Sequence, residues 1–199
     1  NYLNAIFEKL YLISKMKYDK INSELFKKNR KNFIAKMKPN SVAFFNSNDI
    51  YPVSADSTLP FEQQRDIFYL SGVDQEESVL MLTSNSEKTG YKEVLFLKET
   101  SPHIAVWEGP KLDKKQAYET SGIETVFWLD EMEKIIDEVM QNCETIYYNH
   151  NEHYRAKVEV ETREERFNKW IESKFENKRK ERSNPVSYTH LTLPTNHPV

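Results

Sequence analysis

Apolar positions along the chain switch between a helical and an alternating period, and each switch marks an element. Tyr18, Ile21, Leu25, Phe26, Phe33, Ile34 and Met37 recur at helical spacing with lysines on the other face, until Pro39 and Asn40 end the helix. Short apolar runs at Ser41–Phe45, Ile67–Leu70, Val79–Thr83, Glu93–Leu97, Val126–Leu129 and Thr145–Tyr148 predict strands. The aromatic run IFYLSG must enter a core, and its Gly72 supplies a tight, left-handed turn. Asn46–Leu59 is a polar loop, Lys88–Gly90 a turn, and Thr100–Pro102 a break. Ala105–Leu112 follows as a strand–turn segment with Gly109–Pro110 at the turn. Asp113 caps a helix to Thr120 that Gly122 stops. Leu129, Met132, Ile135, Ile136 and Val139 stripe a second helix over Asp130–Gln141. A charged helix over Arg155–Phe175 shows Val158, Val160, Phe167, Trp170, Ile171 and Phe175 on its apolar face. This order predicts an α/β domain, a mixed β-sheet flanked by helices.

Composition narrows the function. The 199 residues suit one domain, and the formal charge of −3 gives no basic field for nucleic acid. Lysines and arginines between Arg155 and Arg182 are offset by Glu159, Glu161, Glu164, Glu165, Glu172 and Glu176, a solvated helix face. No window reaches the roughly 18 apolar residues of a membrane span. The opening residues lack the basic start and cleavage site of a signal peptide. Cys143 is the only cysteine, so no internal disulfide forms; a reducing, cytoplasmic setting fits, and the thiol reads as structural. Four glycines, dispersed at 72, 90, 109 and 122, cannot build a phosphate loop, and no Gly-x-Ser-x-Gly elbow occurs. His150 and His153 have a metal-pair spacing, but their Asn-rich surroundings and the lack of a third ligand make them a solvated loop.

Two motifs remain. Pro60, Phe61, Gln63, Asp66, Phe68, Tyr69, Leu70, Ser71 and Gly72 form the first, followed by Glu77, Val79 and Leu80; Trp107 and Gly109 form the second, a Trp-x-Gly. In order and spacing they resemble the N-terminal domain of Xaa-Pro aminopeptidases (aminopeptidase P), of the creatinase/prolidase group. Glu62 stands where that family commonly has arginine, and Arg65 where it has a small polar residue, so the loop's charge is rearranged. The resemblance runs from about Met16 to Pro185.

The resemblance implies a division of labour. Family members release the residue before proline, using two metal ions, commonly manganese, held by two aspartates, a histidine and two glutamates. A bridging hydroxide attacks the carbonyl. Those ligands lie in a C-terminal pita-bread domain whose motifs have no match in this sequence. The expectation is therefore a non-catalytic fragment that binds no metal itself. Its expected partners are the pita-bread domain of the parent chain, further copies in a homo-oligomer and, in the full-length enzyme, a peptide; nucleic acid and membrane are not among them. Trp107 has two readings: a core residue, or a flat wall at a substrate site or subunit interface. Trp128 and Trp170 read as packing residues.

The ends read differently from the middle. Residues 1–15 look like an upstream extension, 16–177 the domain, 178–185 the start of an interdomain linker, and 186–199 an artefactual tail without helical period. A stand-alone module that binds a peptide or protein is the alternative, as is the N-terminal domain of a prolidase- or creatinase-like enzyme.

Overall fold

A computed structural model describes residues 21–55, 57–149 and 161–182. The expectations for 1–15, for Tyr18, Val158 and Val160, for the His150–His153 pair and for the tail after Pro185 fall outside these residues.

Six strands form one mixed sheet. In chain order they are Ser41–Asn46 (β1), Ser78–Thr83 (β4), Glu93–Leu97 (β5), Thr125–Trp128 (β6), Thr145–Tyr148 (β7) and Arg179–Arg182 (β8). They lie side by side as β6-β5-β4-β1-β7-β8. Only β4 runs antiparallel to its neighbours, so β1, β5, β6, β7 and β8 all end at the edge where β4 begins. A small exposed ribbon, Pro52–Ser54 (β2) with Ser57–Thr58 (β3), interrupts the loop expected at Asn46–Leu59.

The central strands are apolar on both faces because both are covered. Val42, Phe44, Val79, Met81, Val94, Phe96 and Ile146 point to one side. There they meet Ile135, Ile136 and Val139 of the helix Met132–Met140, and Phe167 and Ile171 of the helix Arg163–Lys174. Ala43, Phe45, Leu80, Leu82, Leu95 and Leu97 point to the other side, against Phe33, Ile67, Leu70, Val73, Ala117 and Ile123. Each large side chain buried in this way contributes about 1.5–3 kcal/mol. Cys143 is buried in the first layer, and burial pushes its thiol up to about 11, so it is no nucleophile at neutral pH. Trp128 and Trp170 pack against the two layers as expected.

The helices are numbered in chain order: Ser23–Ile34 (α1), Arg65–Ser71 (α2), Ser86–Thr89 (α3), Pro102–Glu108 (α4), Lys114–Ser121 (α5), Met132–Met140 (α6) and Arg163–Lys174 (α7). Two of them correct the sequence reading. Ile67–Leu70 is helix, not strand: the Gln64 side-chain oxygen accepts from the backbone N–H of Asp66 at 2.6 Å and of Ile67 at 3.2 Å. That cap starts α2, and left-handed Gly72 stops it. Trp107 likewise lies in helix α4, whose Ser101 cap and Pro102 at the first turn override the β-forming Val-Trp pair. Ile21, just before α1, and Leu25 within it face solvent; the buried stripe of α1 is Phe26, Asn29, Arg30 and Phe33.

Candidate functional site

The first motif builds one end of the sheet. Gln63 Nε2 donates to the carbonyls of Val73 at 3.1 Å and Gln75 at 2.8 Å, which folds the chain after Gly72 into an acidic turn. Gln75 Oε1 in turn accepts from Leu112 N at 2.7 Å. Tyr69 lends its carbonyl to Asn29 Nδ2 at 2.9 Å, fastening α2 to α1. Pro60 is exposed and Phe61 half-buried, so the front of the motif stays at the surface. Gly72 adopts φ +70° against the ring of Phe26.

Arg30 carries the largest buried polar load, with no exposed surface. Its Nε meets Glu93 Oε2 at 2.8 Å, and Nη1 donates to the carbonyls of Leu70 at 2.8 Å and Ser121 at 3.0 Å. Those carbonyls end α2 and α5, so one guanidinium neutralises two helix C-termini at once. Burial lowers its pKa while Glu93 raises it, and an arginine so placed remains charged in neutral water.

Asp66 is buried where β7 ends, accepting from Gln64 Nε2 at 3.1 Å and from Asn149 Nδ2. Asn149 O accepts from Asn168 Nδ2 at 2.8 Å, linking α2, β7 and α7. Burial, then the Asp66 and Glu165 charges, push the neighbouring Glu164 carboxyl up to about 7. In the unfolded chain it ionises near the ordinary 4.5. Between these values the folded state holds a proton that the unfolded state has lost, so stability falls as pH rises from 4.5 to about 7. Because Glu164 is only partly buried, the loss is on the order of 1 kcal/mol. Urea unfolding at pH 5 and pH 8 should show it, and Glu164→Gln should flatten the difference.

The second motif joins the first through charges. Lys98 Nζ lies 2.9 Å from Glu77 Oε2 and 2.9 Å from Glu108 Oε2. Lys111 Nζ contacts Glu76 and lies 3.8 Å from Glu108 Oε2. The acidic turn, the end of β5 and the end of α4 are thus joined by a chain of alternating charges that the Glu76–Glu77 backbone closes into a ring. Its charges raise the Lys98 pKa and lower that of Glu108 through their mutual hydrogen bond. Gly109 follows with φ 79° and ψ 169°, a conformation essentially reserved for glycine. Trp107 therefore sits one residue before the ring's central carboxylate, in a helix next to Val106, which is 76% exposed.

The structure thus gathers Gln63, Asp66, Tyr69 and Gly72 into a scaffold and hangs Trp107 and Gly109 from it. Sequence reasoning missed Arg30, Glu93, Lys98 and Lys111. Arg30 was signalled, lying four residues after Phe26 and three before Phe33 on one helical stripe. Among the described residues no three His, Cys, Asp or Glu side chains converge where a metal could sit. Among them, too, no helix is long and apolar enough to cross a membrane.

Comparison with known proteins gives a consistent result. Residues 26–147 match the family model described as aminopeptidase P, N-terminal domain. The chain is 26% identical over 149 residues to a Xaa-Pro aminopeptidase of Escherichia coli, covering 75% of this chain and 34% of the relative. It is 25% identical to human Xaa-Pro aminopeptidase 3, over 52% of this chain and 21% of the relative. Among solved structures, aminopeptidase PepP of Pseudomonas aeruginosa superposes with a TM-score of 0.66 at 20% identity, over 85% of this chain and 38% of that one. The low-pH form of Escherichia coli aminopeptidase P gives 0.62 at 22% identity, over 78% and 33%. The chain spans about a third or less of the curated relatives' length.

Proposed function

Since this chain belongs to the aminopeptidase P N-terminal domain family, we propose that it is the non-catalytic N-terminal domain of a cytoplasmic, manganese-dependent Xaa-Pro aminopeptidase. The observation that carries the reading is the match over residues 26–147, which spans both motifs. The domain's roles are oligomer contacts, restriction of access to short unfolded peptides, and a wall beside the metal site of the pita-bread domain. Trp107 is the residue assigned to that wall, or to the subunit interface next to it. Its place on a short helix, next to Val106, which is 76% exposed, supports that assignment. An aromatic face there would pack on a proline ring and exclude water near the scissile bond.

The test uses the purified chain with manganese and an Xaa-Pro peptide. No release of the first residue is expected from the chain alone, and release is expected once the domain is joined to its pita-bread partner. Hydrolysis by the chain alone would overturn the reading. So would an active full-length parent whose Trp107→Ala variant keeps an unchanged kcat/KM.

A further inference from the structure

Helix α4 is attached to the domain in an unusual way. None of its described side chains is buried: His103, Val106 and Glu108 are exposed, and Ile104 and Ala105 are half-covered. Ser101 and Pro102 start it, and Gly109 releases the chain in a glycine-only conformation. The polar tie at its C-terminal end is Glu108, which sits between two ammonium groups, Lys98 and Lys111. Each ammonium also holds a carboxylate of the acidic turn, Glu77 and Glu76 respectively. That turn is itself fixed by Gln63 through the carbonyls of Val73 and Gln75. Position therefore passes from the fixed turn to the C-terminal end of α4 through these ion pairs.

We propose that the ring Glu77–Lys98–Glu108–Lys111–Glu76 is an electrostatic latch that sets the position of α4, which makes Lys98 and Glu108 positioning residues for Trp107. The proposal rests on the reading of Trp107 as a wall of the peptide site only for its effect on catalysis, not for the latch itself. The Lys98 pairs, whose side chains are each about a third or more exposed, are individually weak and screened by salt, so that side of the latch is open to ionic strength where the sheet and the nearly buried Lys111 are not. A helix held by apolar burial would show no such sensitivity.

Hydrogen exchange on the unaltered chain tests the latch first. At about 1 M NaCl, where the screening length falls to about 3 Å, the amides of α4 should exchange several-fold faster while those of α5 do not change. Lys98→Met should give the fast α4 exchange already at low salt, and Lys98→Arg should restore protection, all three with one melting temperature. Equal α4 exchange in the unaltered chain and in Lys98→Met at low salt would sink the latch. In the full-length parent, Lys98→Met should raise KM for an Xaa-Pro peptide about fivefold with little change in kcat. Faster exchange with an unchanged KM would keep the latch and remove Trp107 from the peptide site.

Discussion

Arg30→Met should cost about 3–5 kcal/mol, enough to remove most of the stability of a domain this size. The loss has two separable parts. Glu93 would lose the 2.8 Å partner of its carboxylate. The carbonyls of Leu70 and Ser121, which end α2 and α5 beneath the second apolar layer, would lose their shared donor. A buried carbonyl without a partner costs about 1–3 kcal/mol, so the helix ends account for at least as much as the ion pair. The double variant Arg30→Met/Glu93→Gln separates them. Removing both charges should recover only the carboxylate's share and leave the protein about 2 kcal/mol or more below the unaltered chain. Arg30→Lys should fall between, because one ammonium is a point donor and cannot hold three oxygens in the guanidinium's forked geometry. Urea unfolding followed by circular dichroism measures all three. Full recovery in the double variant would mean that Arg30 serves Glu93 alone.

Arg30 also shows where the sequence was legible and where it was not. Strands buried on both faces carry their own signature, and β1, β4, β5 and β7 fall where the apolar runs put them. Helices α5 and α6 were equally readable, because Asp113 with Gln116 forms a capping box and Ile135, Ile136 and Val139 recur at helical spacing. Two of the failures are α2 and α4, both seven residues long and both rich in β-forming residues. Local composition pointed to strand in each; the caps at Gln64 and Ser101 decided otherwise, and a cap is one hydrogen-bonded residue against several propensities. Arg30 was hidden differently. Its neighbours are lysines and asparagines, so its charge pointed to the wet face while its spacing from Phe26 and Phe33 pointed inward. The two helix ends converging on it, 40 and 91 residues away in sequence, and Glu93, 63 away, are what let it be buried. The ring around Glu108 likewise joins residues that sequence order keeps apart, although both of its flanking motifs were recognised.

Gly72→Ala should be the most damaging of the glycine substitutions. A methyl group there would lie 2.2 Å from Phe26 Cε2 and 2.4 Å from Cζ, inside the ring's own volume. The residue also holds φ +70°, which costs an L side chain about 1–2 kcal/mol by itself. Gly90 isolates that second cost, since it has φ +75° with nothing within 4 Å. Gly122 has φ +71° but meets the end of Lys27, Cε at 2.3 Å, a chain that can swing into solvent. Phe26 cannot swing, because it is buried and stands edge-on to Phe68 at 6.3 Å. Overpacking against a fixed ring adds about 1–3 kcal/mol, so Gly72→Ala should cost about 2–5 kcal/mol and the other two about 1–2. Phe26→Leu, which trims the ring, should make the double variant with Gly72→Ala more stable than the sum of the two single losses by about 1 kcal/mol. Urea midpoints for the five variants test this ordering. Equal losses at Gly72 and Gly90 would mean that the Phe26 ring yields, and that α1 is not locked onto the turn that ends α2.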